Sequence, residues 1–307
     1  MGVIVIILLY IFDFAFSSIF SSDKYYKSSW VLNKKNEIYD VAFLGNSRVY
    51  TQIYTDSLTH KLGKNCVNLG VDGTNIMHHY LLLNLFLKQH NTIKYLVYNI
   101  DPWSLSFNLD DPKRTWILLN EINDSSVYSE YKSVFGYRTY LWRYFPFWKF
   151  TEYNSRLGLL AAANSKLNLL KQEYNIKNGD YLKPNNMAVD THKFNSMANI
   201  SDNFKVNNQN LYFLEKMIAL CKSKNVKLIM ITAPILNIQQ QITKKTDLIT
   251  NKYLSPIFDK TQTPYLDFTH LDIGLAFHNF YDYHHLNNLG KTKYNSILAE
   301  ELQKQFD

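Results

Sequence analysis

Short apolar runs alternate with amphipathic stretches along most of this chain. Apolar runs that stop at glycine, proline or aspartate are typical of buried strands, and apolar residues three or four positions apart are typical of helices. The pattern predicts strands at residues 38–44, 66–71, 94–100, 226–232 and 264–268, and helices at 74–90, 211–224 and 291–306. Strands that alternate with helices indicate an α/β fold, in which helices cover both faces of a parallel sheet.

Residues 104–207 interrupt this alternation. The stretch is rich in tyrosine, tryptophan, phenylalanine, asparagine and lysine, as in Tyr140–Phe150. We interpret it as an insertion at one edge of the sheet, with a helix near 164–174 and a turn at Asn178 and Gly179. Its aromatic side chains suit local packing, and they also suit a surface that binds sugar rings or faces lipid.

The first twenty residues are strongly apolar. Val3–Phe20 contains one charge, Asp13, and as a helix it would be about 27 Å long, close to the thickness of a hydrocarbon core. We therefore predict a transmembrane anchor at 1–20, a connector at 21–37 and an α/β domain at 38–307. A cleaved signal peptide and a buried helix are the alternatives.

The charge pattern does not decide on which side of the membrane the C-terminal domain lies. Four lysines, at positions 24, 27, 34 and 35, follow the apolar segment. By the positive-inside rule they would hold the C-terminal domain in the cytoplasm. The function considered below requires the opposite orientation.

Composition narrows the classes of function. With 46% hydrophobic and 19% charged residues, the chain is not disordered, and its charge of +7 is spread without a nucleic-acid-binding arm. Cys66 and Cys221 alone cannot form a disulfide scaffold or a Cys-rich zinc site, so we predict packed thiols. His78 and His79 lack acidic neighbours, and no glycine-rich phosphate loop follows a strand. The sequence therefore predicts no cofactor, no metal and no nucleic-acid partner.

The motif Gly45-Asn46-Ser47-Arg48 directly follows the first predicted strand. A serine on such a strand-to-helix turn lies at the carboxyl edge of a parallel sheet, where these folds bind ligands. Its backbone N–H would point into the same crevice, at the positive end of the next helix. Ser47 is therefore a candidate nucleophile, although Gly-Asn-Ser is also ordinary turn chemistry. Arg48 would hold an anion or form a surface ion pair.

A second motif, Asp282-Tyr283-His284-His285, lies near the C-terminus. An aspartate three residues before a histidine can accept a hydrogen bond from the imidazole Nδ1–H, which leaves Nε2 free to take a proton from a hydroxyl. We predict Asp282 as the orienting carboxylate and His285 as the general acid/base. His284 is the alternative base, and a polar surface loop is the non-functional alternative.

A third motif, Asn68–Gly73, closes the second predicted strand. A glycine at such a position lets backbone approach a substrate and leaves its N–H unobstructed. We predict that the backbone N–H groups of Ser47 and Gly73 stabilise an oxyanion. A plain turn glycine is the alternative.

Together, the three motifs resemble those of the SGNH (GDSL-like) hydrolases. That family has its nucleophile in a Gly-Asp-Ser-type block, an oxyanion glycine after the second strand and a C-terminal Asp-x-x-His. Gly45–Ser47, Asn68–Gly73 and Asp282–His285 match in order and position, and the resemblance covers 38–307 apart from the insertion. It implies a flavodoxin-like three-layer α/β/α sandwich with about five parallel strands.

One block of this chain departs from the family pattern. The family usually has Gly-x-Asn-Asp after the third strand, whereas this chain has Asn99-Ile100-Asp101. Asn99 is the candidate replacement for the oxyanion donor. The departure resembles a membrane-anchored bacterial branch that includes O-acetylation factors for envelope polysaccharides.

The resemblance implies a membrane-anchored serine esterase or O-acyltransferase that acts on a carbohydrate ester through an acyl-enzyme on Ser47. It also implies a domain outside the cytoplasm and a membrane protein that supplies the acyl group. Two alternatives stay open. One is a non-catalytic envelope protein that retains the fold, and the other is a lipid esterase that faces the cytoplasm.

Overall fold

The computed structural model describes residues 2–152, 163–164, 166, 172–183, 186–188, 204–237 and 241–306, so most of the helix predicted at 164–174 lies outside the described residues. Five strands form one parallel sheet: β1 Ile38–Leu44, β2 Cys66–Asn68, β3 Thr92–Asn99, β4 Lys227–Thr232 and β5 Tyr265–Asp267. Their order is β2-β1-β3-β4-β5, which is the flavodoxin order. The predicted α/β fold with five parallel strands is confirmed.

Helices cover both faces of this sheet. In chain order they are α1 Gly2–Phe20, α2 Lys27–Asn33, α3 Ser47–Gln52, α4 Thr55–Leu62, α5 Ile76–Lys88, α6 Pro112–Thr115, α7 Ser125–Phe135, α8 Arg138–Tyr144, α9 Trp148–Glu152, α10 Asn208–Ser223, α11 Gln241–Ile249, α12 Ser255–Thr261 and α13 Asn288–Gln303. Shorter 3₁₀ turns lie at Pro102–Ser106, Trp116–Glu121, Asp272–Leu275 and Phe277–Asn279, and a π-helical turn at Thr250–Leu254 joins α11 to α12.

The strands read as continuous apolar runs because both of their faces are buried. In β1, Val41 and Phe43 pack with α3, α4 and α13, while Ala42 and Leu44 pack in the core shared by α2, α5 and α10. This alternation produces two hydrophobic cores, one on each side of the sheet. The carboxyl ends of β1 and β2 therefore place the motifs Gly45–Arg48 and Asn68–Gly73 at the same edge of the sheet.

The insertion packs over one face of the sheet, against α5. The Tyr131 hydroxyl of α7 lies 3.3 Å from His78 Nε2 of α5, and Asn84 Nδ2 of α5 donates to Ser126 Oγ at 3.0 Å. Its buried apolar side chains, such as Val127 and Leu118, extend the core around α5. A later part of the insertion lies at the β2 edge of the sheet, where Asn68 N–H donates to Asn178 O at 2.8 Å. That part agrees with the predicted position at an edge of the sheet.

Helix α1 has one exposed and one packed portion. It is long and apolar enough to cross a membrane, and Val3–Phe14 is largely exposed. Near its end, Phe16 and Phe20 are buried against Phe150, with ring centroids 5.4 Å and 5.7 Å away. The helix therefore continues directly into the folded domain.

The segment 21–37, expected to be a connector, contains the buried helix α2. The Lys27 Nζ of this helix donates to the backbone oxygens of Asn68 at 2.7 Å and Gly179 at 2.8 Å. It also lies 3.8 Å from the centroid of the Trp30 ring. Burial holds the pKa of Lys27 well below its ordinary value, with Asp180 opposing that shift. We call these surroundings of Lys27, formed by the two backbone oxygens and the Trp30 ring, the Lys27 cage. The cage links α2 to the end of β2 and to the turn around Gly179. Gly179 has φ +82°, a conformation that the predicted turn requires.

Candidate active site

Ser47 is the first residue of α3, immediately after β1 and the turn at Gly45 and Asn46. Asn46 caps the helix, because its Oδ1 accepts a hydrogen bond from Arg48 N–H at 3.0 Å. Gly70 makes this turn compact, since a Cβ there would stand 2.6 Å from the backbone nitrogen of Tyr50. The loop after β2 therefore packs directly against the helix that carries Ser47.

His285 lies in a short hairpin that precedes α13. Tyr281 N–H donates to His285 O at 3.0 Å, and Phe280 and Leu286 form an antiparallel bridge. From α3, Gln52 Nε2 donates to the backbone oxygen of His284 at 2.9 Å. This bond fixes the hairpin against the helix of Ser47.

The structure brings Ser47, His285 and Asp282 together. His285 Nε2 lies 2.8 Å from Ser47 Oγ, and His285 Nδ1 lies 2.8 Å from Asp282 Oδ2 and 3.0 Å from Asp282 Oδ1. His285, not His284, is the histidine that faces the serine. These distances match a chain of hydrogen bonds from a nucleophile to a base and from the base to an orienting carboxylate.

Asp282 is held in its ionised form. Burial alone would raise its pKa, but hydrogen bonds from the His285 ring and from the backbone N–H groups of His284 and His285 lower it below its ordinary value. Those two N–H groups donate to Asp282 Oδ1 at 2.8 Å and 2.7 Å. An ionised carboxylate in this position favours the tautomer of His285 with its proton on Nδ1, which leaves Nε2 as the proton acceptor.

The two backbone donors predicted for an oxyanion are both available. Within the described part of the chain, neither Ser47 N–H nor Gly73 N–H donates a hydrogen bond. Gly73 lies in the turn after β2 with φ +70°, and the space where its Cβ would stand is open. Their role as oxyanion donors stays a prediction.

Asn99 forms hydrogen bonds with two neighbouring groups. Its Nδ2 donates to Asp101 Oδ1 at 3.0 Å, and its Oδ1 accepts from Ala233 N–H at 2.9 Å. Among the described residues its hydrogen bonds do not include Ser47. The amide of Asn99 therefore holds the carboxylate of Asp101, and the role of Asn99 as an oxyanion donor stays a prediction.

A buried ion pair beneath the site was not expected. Arg48 and Asp101 form a salt bridge with both side chains almost fully buried. Asn46 Nδ2 also donates to Asp101 Oδ2 at 2.8 Å, and the other arm of Arg48 donates to Ala233 O at 2.6 Å. Burial would raise the pKa of Asp101, but the charge of Arg48 and the hydrogen bonds of Asn46 and Asn99 lower it overall. The surface ion pair considered for Arg48 is thus a buried one.

Three residues near the site were missed by the sequence analysis. Trp103 stacks on the ring of His284, with centroids 5.1 Å apart and planes 14° apart. Tyr281 stacks on His285 in the same way, at 5.3 Å and 12°. Asp101 is named in the sequence analysis only as part of the block that departs from the family pattern. Its position there, two residues after Asn99, is the signal that could have identified it as a residue of the site.

The remaining candidates are packed side chains. His78 and His79 are buried, and burial lowers the pKa of each to about 3. His79 lies between Thr74 Oγ1 at 2.8 Å and the Tyr98 hydroxyl at 2.9 Å. Cys66 and Cys221 are buried free thiols, as predicted.

Comparisons with known proteins add little to this geometry. A family model that carries no functional description matches residues 185–307, less than half of the chain. No curated protein matches the sequence. One solved structure, from Bacteroides fragilis and described as a candidate acylhydrolase, aligns with a TM-score of 0.41 and 11% identity over 89% of each chain. At this level of similarity the match does not indicate function.

Proposed function

We propose that this protein is a membrane-anchored, SGNH-like serine esterase or O-acyltransferase that acts on an ester of an envelope carbohydrate. The observation that carries the proposal is the 2.8 Å separation between Ser47 Oγ and His285 Nε2, with Asp282 bound to the opposite ring nitrogen.

In the proposed reaction, Ser47 Oγ attacks the carbonyl carbon of an acyl ester while its proton passes to His285 Nε2. The charge on the tetrahedral oxygen is stabilised by the N–H groups of Ser47 and Gly73. His285 then returns the proton to the leaving alcohol, and an acyl-serine remains. Water or a sugar hydroxyl, deprotonated by His285, releases the acyl group and restores Ser47.

A carbohydrate is the favoured substrate because an aromatic ring lies against the base and an exposed carboxylate lies near that ring. The Tyr281 ring is half-buried and stacks on His285. Burial raises the pKa of Tyr281, and so do the nearby charges of Asp282, Tyr181 and Asp72. Asp72 is exposed, and Tyr181 packs edge-on against Tyr50 at 5.0 Å. An aromatic ring beside the base and a nearby carboxylate that accepts hydrogen bonds from hydroxyl groups are suited to a sugar.

The orientation of the domain is part of the proposal. An envelope glycan requires the domain to lie outside the cytoplasm, against the positive-inside rule. Two of the four lysines behind α1 have a structural use: Lys27 is buried in its cage, and Lys34 lies 4.7 Å from the Trp30 ring centroid. Their presence therefore has a reason besides membrane topology. A C-terminal reporter fusion decides the side, and a cytoplasmic C-terminus would favour the lipid esterase instead.

The catalytic proposal is tested with a fluorophosphonate probe, which labels activated serines. We expect the wild type to be labelled and the Ser47→Ala variant not to be. Ser57→Ala, in the neighbouring helix α4, is the matched control and should label like the wild type. Equal labelling of Ser47→Ala and wild type would contradict the nucleophile assignment. If neither is labelled and glycan O-acetylation is also unchanged in Ser47→Ala cells, the non-catalytic alternative is favoured.

A further inference from the structure

The end of α1 is attached to the aromatic insertion by polar as well as apolar contacts. Phe147 N–H donates to Asp13 Oδ2 at 2.6 Å, and Lys149 Nζ lies 3.5 Å from Asp13 Oδ1. Phe16 packs edge-on against Phe147, with ring centroids 4.9 Å apart. The only charge within the apolar helix is thus satisfied by the insertion. The insertion therefore has a fixed position beside α1.

The insertion exposes a dense set of aromatic side chains at this place. We call Tyr137–Trp148 the aromatic segment. Its exposed rings are Tyr137, Tyr140, Tyr144, Phe145 and Trp148, each at least 42% exposed. Exposed rings at this density, contiguous with a helix of exposed aliphatic side chains, form an apolar patch that needs a partner. Tyrosine and tryptophan are the residues enriched where a membrane meets water.

The depth of this segment follows from its neighbours on α1. Phe14 is 76% exposed, only one position from Asp13, which binds Phe147. Phe12 also contacts the Phe147 ring, at 6.0 Å. Residues one turn of helix apart differ in depth by about 5 Å. If Phe14 lies in lipid, the depth of the aromatic segment differs from that of Phe14 by no more than one or two helical turns. This places the aromatic segment at the headgroup layer.

The charge around the segment favours an anionic surface. Residues 131–151 contain four basic residues and no acidic ones. Lys149 is buried and paired with Asp13, whereas Lys132, Arg138 and Arg143 are at least partly exposed. A groove of about 560 Å³ between α1 and the segment is lined by Tyr10 and Phe14 on one side and by Arg143 and Tyr144 on the other, and Asp13 and Glu121 also line it. Juxtamembrane basic residues attract anionic lipid headgroups. Apolar rings next to arginine match the layered chemistry of a bilayer surface.

We propose that the aromatic segment is a second membrane contact, which inserts into the headgroup layer of an anionic phospholipid bilayer beside α1. The proposal rests on the membrane anchoring included in the proposed function, and it is independent of the chemistry at Ser47. Its consequence is that the domain does not swing freely on its anchor. Instead, two contacts hold it in one orientation against the membrane.

The test uses an environment-sensitive fluorophore on single cysteines in the full-length protein, in vesicles of phosphatidylcholine and phosphatidylglycerol that contain headgroup-depth nitroxide lipids. Tyr144→Cys probes the segment. Tyr212→Cys, on α10, is the matched control, because the two tyrosines are 51% and 49% exposed. Ile7→Cys, at 52% exposure, reports insertion of α1. The native Cys66 and Cys221 are buried, and unmodified protein provides the labelling blank.

We expect the Ile7 and Tyr144 labels to be quenched severalfold more than the Tyr212 label. Replacing phosphatidylglycerol with phosphatidylcholine should weaken quenching at Tyr144. If Ile7 is quenched and Tyr144 is quenched no more than Tyr212, the second contact is refuted while the anchor stands. If none is quenched, both are refuted and the Ser47 proposal is untouched. Tyr137→Cys repeats the test should Tyr144→Cys fail to fold, as judged by its circular dichroism.

Discussion

His78–His79 and His284–His285 are the two pairs of adjacent histidines in this chain, and their surroundings differ. The first pair is fully buried on α5, where Tyr131, Tyr98 and Thr74 bond the rings. The second pair lies at the carboxyl edge of the sheet, partly exposed, and only there does a ring face a serine hydroxyl. Identical dipeptides thus serve packing in one place and a candidate proton transfer in the other.

The buried pair Arg48–Asp101 influences both histidine pairs. Burial and the charge of Arg48 together lower the pKa of His284 to about 4, while the charge of Asp101 opposes this shift. Asp101 likewise opposes the lowering that burial causes at His79. The comparison teaches that solvent access and partners, rather than residue type, decide what each ring can do.

The largest expected effect separates the two members of the second pair. His285→Gln should reduce fluorophosphonate labelling or ester hydrolysis by about 10⁴–10⁶-fold, because the serine loses its proton acceptor. His284→Gln should cost about tenfold or less, since it loses only its stacking on Trp103. The measurement is the second-order rate of labelling for each variant. A larger loss in His284→Gln would transfer the role of base to His284.

The next effect concerns the orienting carboxylate. Asp282→Asn should lower the labelling rate by up to about 10⁴-fold, because an amide no longer fixes the Nδ1–H tautomer of His285. The exposed Asp259→Asn serves as the control and should leave the rate unchanged. A rate close to that of the wild type in Asp282→Asn would show that Asp282 only closes the hairpin.

A stability effect should follow from breaking the buried ion pair of Arg48 and Asp101, whose charges act on both histidine pairs. Asp101→Asn leaves Arg48 buried without its countercharge, which we expect to lower the free energy of unfolding by about 3–5 kcal/mol. Glu301→Gln breaks the exposed pair with Lys304 and should cost at most about 1 kcal/mol. Urea unfolding in detergent micelles measures both. Similar small losses in the two variants would mean that the buried pair is not stabilising.

The smallest effect is a pH dependence caused by the first histidine pair. In the folded chain His78 and His79 have pKa values of about 3, against 6.5 ordinarily, so only the unfolded chain binds their protons between these values. Stability should therefore fall as pH drops below 6.5, by roughly 1 kcal/mol per pH unit for each histidine. His79→Gln should reduce this slope, and His60→Gln, at an exposed position, should not. An unchanged slope in His79→Gln would contradict the assignment.

Much of the fold could be predicted because each strand is apolar throughout and ends at a turn residue. β1 begins and ends where the pattern places it, and β2 to β5 differ by a few residues at their ends. Helix α2 was missed because seven residues that include two serines and a lysine show no apolar period. The cage around Lys27 depends on Asn68 and Gly179, which are distant in the chain, and local patterns carry no such information.

The candidate site was predictable to the extent that its groups lie within short motifs. Ser47 and the pair Asp282 and His285 each sit in one turn, so their local spacing was visible. The partners of Asn99 could not be predicted in this way. Ala233 directly follows β4, and it comes close to Asn99 only because β4 pairs with β3. The stacking of Trp103 on His284 joins two loops in the same way.

The Lys27 cage can be completed only late in the synthesis of the chain. Its two acceptors belong to Asn68 and Gly179, and the second is 152 residues further along the chain. At about 5–20 residues per second, a ribosome needs roughly 8–30 s to add them. During most of that interval Asn68 has already been added, whereas the second acceptor of Lys27 has not. The contacts of α2 therefore stay incomplete in the nascent chain until the turn around Gly179 has been synthesised.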